Sequence, residues 1–140
     1  MSLDRGTKIY AAILAAICLA SLLAWALTLD FRVDEINETI RQDAQIAAYP
    51  YPFRVLKIEG RTAVLSSPRS SAMPAVRFLG IINPRLKQFS DQDPQLIEAQ
   101  KELAQIQSKV RKLVLSRADI DRVDWRIDRE WFAERGIWLE

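Results

Sequence analysis

Between Lys8 and Asp30 lies IYAAILAAICLASLLAWALTL, Ile9 to Leu29, without one charged side chain. At about 1.5 Å per residue this run makes roughly 30 Å of helix, the thickness of a bilayer's hydrocarbon core. A helix apolar on every face must be surrounded by apolar material, and a chain of 140 residues has too little left over to wrap it in protein. The run therefore predicts a membrane anchor over residues 9–29, with residues 1–8 as a short tail and everything after Asp30 outside the bilayer. Ile9 and Leu29 bound the expected span. Tyr10 and Trp25 lie toward its two ends, where amphipathic rings favour the headgroup layer.

The flanks give an orientation. Arg5, Lys8 and the α-amino group stand against Asp4 before the run, whereas Asp30, Asp34, Glu35 and Glu38 follow it with only Arg32 among them. Short flanks rich in Lys and Arg stay in the cytoplasm. The expected topology is N-terminus inside and C-terminal body outside, which in a bacterium places the body in the periplasm behind the inner membrane. A cleaved signal peptide is the competing reading, since Ala24-Trp25-Ala26 resembles a cleavage site. The apolar run exceeds a typical signal core and continues through Leu27 and Leu29, which favours a retained span. Cys18 follows the bulky Ile17, where a lipoprotein site needs a small residue.

The rest of the composition excludes more than it indicates. There is no histidine, and the single cysteine, Cys18, lies within the apolar run. General acid–base and nucleophilic chemistry rely on His, an activated Cys or paired acids in a cleft. The cluster Ser66, Ser67, Ser70 and Ser71 has no base beside it in sequence, apart from a remote pairing with Lys57 or Lys87. Asp119, Asp121 and Asp124 alternate with Arg117, Arg122 and Arg126, the pattern of an ion-paired surface rather than a metal site. Four dispersed glycines supply no phosphate-binding loop. The net charge of +2 leaves no nucleic-acid footprint. The expectation is a non-catalytic protein with no cofactor and no nucleic-acid partner.

After the anchor, FRVDEINETIRQDAQIAA keeps a helical stripe, with Val33, Ile36, Ile40, Ala44 and Ala47 at spacings of three and four. No Gly or Pro interrupts Ile9 to Ala48, so residues 30–48 are predicted to continue the membrane helix as a stalk. Its stripe either rests on the protein's own domain or pairs with a partner's stalk inside a membrane complex. Tyr49-Pro50-Tyr51-Pro52 cannot continue a helix and marks the expected boundary of a small domain over residues 49–140, read as a stiff linker on the domain edge in preference to an aromatic pair that docks a ligand. That domain begins with a predicted hairpin, Phe53–Ile58 and Thr62–Ser66, turning at Glu59-Gly60. AVRFLGII (Ala75–Ile82) reads as a third strand stopped by Asn83-Pro84. Asp93 and Pro94 open a helix whose stripe of Leu96, Ala99, Leu103, Ile106, Val110 and Leu113 runs to about Leu115. Ile120–Asp128 alternates Val123, Trp125 and Ile127 with Asp124, Arg126 and Asp128, a half-buried strand with a polar face. A short helix ended by Gly136 and an exposed apolar tip close the chain. The fold class is α+β: an anchor helix and stalk, then a β-β-(β)-α-β sandwich with a short final helix.

VLKIEGRTAVLSS (Val55–Ser67), AQKELAQIQSKV (Ala99–Val110) and ADIDRVDWRI (Ala118–Ile127) together resemble the βαβ core of BON domains. Those domains read as strand, turn glycine, strand, alanine-rich helix and a Gly-Val-x-x-Val strand; here Asp119-Ile120 occupies the place of that glycine and valine. The resemblance implies an envelope-binding role that includes phospholipid contact. The layout of tail, span, stalk and small α/β domain is also similar to inner-membrane assembly proteins of type IV pili and type II secretion, which implies a scaffold.

Two functions follow as expectations. The first is an accessory or structural subunit of a membrane complex, with integral membrane subunits or a second copy as partner. Its contacts would be the span, the stalk residues Val33, Ile36 and Ile40, and the terminal Trp131, Phe132, Ile137, Trp138 and Leu139, since large aromatics anchor interfaces. The second is a stand-alone envelope-binding module that holds phospholipid or peptidoglycan through Arg54, Arg61, Arg69, Arg77 and Arg85.

Overall fold

The computed structural model describes residues 2, 4–28 and 31–140, and the chain divides into two compact units, Met1–Phe31 and Arg32–Glu140. The first unit is one helix, α1 (Arg5–Thr28), with apolar side chains spread round its whole circumference. Residues 5–27 are all exposed. It is long and apolar enough to cross a membrane. Of the expected span residues, Ile9, Tyr10 and Trp25 lie on this helix, and Leu29 lies outside the described residues, as does the expected bounding charge Asp30.

In the second unit the chain runs α2 (Arg32–Gln42), α3 (Ala44–Ala48), β1 (Val55–Glu59), β2 (Thr62–Ser67), α4 (Ala75–Ile82), a 3₁₀ turn (Pro84–Gln88), α5 (Pro94–Leu115), β3 (Arg122–Ile127) and α6 (Arg129–Ala133). It is mixed helix and strand, an α+β arrangement. The sheet order is β1-β2-β3. β1 and β2 form the hairpin, antiparallel, with Val55 opposite Leu65 and Glu59 opposite Thr62. Gly60, at φ 62°, is the first of the two residues between that last pair, a turn position that only glycine fills without strain. β3 lies parallel to β2, from Thr62 opposite Arg122 to Ser67 opposite Ile127. A parallel neighbour needs a long crossover, and the segment from α4 through α5 supplies it. Central β2 is buried at Ala63 to Ser67, whereas the edge strand β3 is only partly covered.

α5 carries the core. Asp93 caps it, its side chain accepting from the Gln95 amide at 2.8 Å, with Pro94 in the first turn. Leu96, Leu103, Ile106, Val110 and Val114 are buried along one face. A 22-residue amphipathic helix of this kind is the natural cover for one face of a three-stranded sheet.

The stalk is a different matter. α2 ends at Gln42 because Asp43 turns extended (φ −76°, ψ 114°) and its carboxylate accepts from the Gln45 and Ile46 amides to start α3. An Asp side chain competing with the helix for backbone donors ends helices as well as starting them. Ile36 and Ile40 are 4% and 2% exposed and join Ile46 in the domain core, with Val33 packed against it. Asn37 fastens the helix to the sheet: its Nδ2 donates to the Val55 carbonyl at 3.1 Å, and its Oδ1 accepts from the Val55 amide at 2.6 Å. An edge strand's free backbone groups are thereby satisfied from within the chain. Arg117 pairs with Glu35 at 2.8 Å, and Lys109 with Asp43 at 3.2 Å. Residues 32–48 are therefore part of the domain, and the boundary falls at Phe31–Arg32 rather than at Tyr49-Pro50.

Three further expectations are corrected. Ala75–Ile82 is helix α4, not a strand, because Ala75, Phe78, Leu79 and Ile82 fall on one helical face and pack into the core. Tyr51 is no linker residue but fully buried, its ring edge-on to Phe53 at 4.8 Å, Trp131 at 5.4 Å and Phe78 at 5.9 Å. Asp128 does not face solvent; it is buried at the start of α6.

Candidate interaction surface

The surface begins with a buried carboxylate. Each oxygen of Asp128 takes two hydrogen bonds. Oδ2 accepts from the Tyr51 hydroxyl at 2.8 Å and Arg54 Nη1 at 2.7 Å; Oδ1 accepts from Arg54 Nη2 at 3.1 Å and the Trp131 amide at 3.2 Å. Burial pushes this carboxyl up, but the hydrogen bonds from Arg54, Tyr51 and Trp131 outweigh it and hold it below the ordinary carboxylate range. Burial, and to a smaller degree Asp128 itself, raises the Tyr51 phenol well above its usual value, so it stays neutral. A carboxylate with every lone pair engaged is a fastener: it caps α6 and ties that helix to the strand entry at Arg54.

What the fastener holds in place is Trp131. Its ring stands edge-on to Phe132 at 4.9 Å, and the Arg135 guanidinium lies over it at 3.7 Å from the centroid. Arg135 also donates to the Trp131 carbonyl at 2.9 Å. Trp131 and Arg135 wall a hollow of about 540 Å³ together with Ile46, Tyr49, Pro50 and Phe53. Round Pro50 a second hollow of about 540 Å³ shares Trp131 and Arg135 and adds Ile81, Ile82, Lys87 and Ile137. Tyr49 is buried with its hydroxyl unpartnered among the described residues, and burial, then the nearby Glu102, pushes its phenol up to about 12. Aromatic and aliphatic side chains line the first hollow beside Arg41, Glu134 and Arg135, and Lys87 joins Arg135 in the second, a mix of apolar and charged groups suited to a partner surface.

The expected contact residues divide sharply. Val33, Ile36 and Ile40 face inward on α2, because Asn37 and the flanking ion pairs seat that helix on its own domain. Phe132 is fully buried, and Trp131 is buried yet lines both hollows. Ile137 and Leu139 pack against the core, and only Trp138, 82% exposed, projects freely. Tyr49, Pro50 and Arg135 were not anticipated. The aromatic–proline pair at Tyr49-Pro50 was the signal in the sequence, and it was assigned to a linker. Of the arginines expected to hold phospholipid or peptidoglycan, Arg54 is committed to Asp128 and Arg61 to Asp121 at 2.5 Å, while Arg69, Arg77 and Arg85 lie on separate segments. Among the described residues no three His, Cys, Asp or Glu side chains converge where a metal ion could sit. Asp119 pairs with Arg117 at 2.6 Å, and Asp124 lies 3.8 Å from Arg122.

Comparison with family models, with characterised proteins and with solved structures yields no match to this chain.

Proposed function

We propose that this chain is a single-pass protein of the bacterial inner membrane, N-terminus in the cytoplasm and domain in the periplasm, that serves without catalysis as an accessory subunit or scaffold of a membrane complex. α1 is the anchor, held in the bilayer by apolar side chains on every face. The observation that carries the rest is the position of Trp131, on the shared wall of two hollows and stiffened by Arg135 and the Asp128 fastener. A rigid aromatic in a preformed concavity is where binding energy concentrates at protein interfaces. The partner is an integral membrane subunit or a second copy, met beside the bilayer where tethering raises the effective concentration.

The test is isolation of the full-length protein in mild detergent, with native sizing and mass spectrometry of what accompanies it. A stoichiometric multi-span partner that is lost on Arg135→Glu supports the reading. A protein that runs alone, in detergent and after cross-linking in intact cells, overturns it.

A further inference from the structure

A third hollow, of about 300 Å³, lies where α5 passes the carboxyl end of β2. Its lining carries more apolar than polar surface, with Trp125 the one large apolar side chain; Ser67, Arg69, Gln107, Ser108 and Arg111 supply polar groups and positive charge, and no acidic residue is among them.

Gln107 is 7% exposed, and its Oε1 has no hydrogen-bond partner among the described residues. Its Nε2 donates to Ser67 Oγ at 3.4 Å, and the Ser67 proton is already given to the Arg69 carbonyl at 2.9 Å. A buried carbonyl oxygen left unpaired costs about 1–3 kcal/mol and calls for an O–H or N–H donor. Arg69 and Arg111 make no ion pair among the described residues, in contrast to Arg54, Arg61 and Arg117. Trp125, 36% exposed, offers an aromatic surface beside them. The hollow thus asks for an anion, a hydroxyl donor and a flat C–H face in one small group.

We propose that this hollow binds one acidic sugar unit of an anionic glycan. The carboxylate meets Arg69 and Arg111, and a ring hydroxyl donates to Gln107 Oε1 as that side chain turns toward the hollow it lines. The C–H face of the ring rests on Trp125. A neighbouring hollow of about 390 Å³ shares Arg69 and adds Lys101, with Asp91 on its wall. Lys101 and Arg111 stand roughly 15 Å apart along α5, so a second acidic unit of the same chain falls beside Lys101.

Calorimetric titration of the full chain, held in a detergent without a sugar headgroup, tests this with tetragalacturonate, maltotetraose and inorganic phosphate. Tetragalacturonate is expected to bind, more weakly as salt is raised. Arg69→Gln and Arg111→Gln should each weaken it roughly tenfold, the loss of one charge-assisted hydrogen bond. Gln107→Leu should weaken binding while leaving the domain's melting temperature in place, which separates a ligand contact from a structural one. Equal binding of maltotetraose overturns the role of the arginines. Equal binding of phosphate overturns the sugar, and absence of binding by all three overturns the site.

Discussion

α1 and α5 are nearly equal in length, 24 and 22 residues, and both are rich in aliphatic side chains. They differ in where those side chains sit. On α1 they surround the helix, and no described side chain of it is buried; on α5 they form one stripe that disappears into the domain. A helix with a polar face satisfies water on one side and a sheet on the other, whereas a helix without one needs an apolar solvent all round. Angular distribution, more than total hydrophobicity, decides which medium a helix of this length occupies.

The comparison can be broken most violently with a charge. Val110→Asp, at a fully buried position of α5, should unfold the domain at a cost above about 4 kcal/mol, seen as loss of the cooperative melting transition. Leu19→Asp on α1 should leave that transition untouched and instead weaken membrane insertion by about 3–4 kcal/mol, read from fractionation of the full chain. A milder version uses one substitution twice. Leu103→Ala should destabilise the domain by about 2–5 kcal/mol in denaturant melts, while Leu19→Ala changes nothing in the same experiment.

The fastener comes next in size. Asp128→Ala leaves the Tyr51 hydroxyl buried without its acceptor and removes the cap of α6, an expected loss of about 2–3 kcal/mol. The same carboxylate sets a pH dependence. Its native-state value lies below that of the unfolded chain, about 3.9. The native protein therefore binds fewer protons in acid, and the stabilisation is whole above that value and lost as pH falls through the native one. Asp128→Asn should flatten this part of the acid melting curve. Smallest of the set is Asp93→Ala at the start of α5, about 1 kcal/mol, with the helix retained by its buried stripe.

The elements legible in the sequence were those whose signal is local. Gly60 announced the hairpin turn, Asp93-Pro94 announced α5, and the stripe from Leu96 onward announced the buried face. α4 was misread as a strand because a short apolar run suits either period, although Ala75, Phe78, Leu79 and Ile82 do fall at helical spacing. Asp128 followed an alternating strand and was placed on its polar face. Its real partners, Tyr51 and Arg54, lie 77 and 74 residues away, and no local pattern announces them. The surface round Trp131 was half visible: the aromatics near the C-terminus stood out, while their neighbours Tyr49 and Pro50 passed for a linker.

The sequence by itself determined that a membrane-length helix precedes a hairpin and a long amphipathic helix, that it holds no histidine, and that its one cysteine lies within the apolar run. Those statements rest on composition and periodicity, which a stretch of chain carries within itself. Tertiary structure alone decided what covers each apolar face. It took Ile36 and Ile40 inside, gathered Pro50, Trp131 and Arg135 round two hollows, and left Arg69 and Arg111 without carboxylate partners among the described residues while pairing Arg54 and Arg61. Periodicity tells which side of a helix or strand is apolar; the partner for that side is chosen by packing between segments far apart in the chain, where only the folded arrangement brings the energies together.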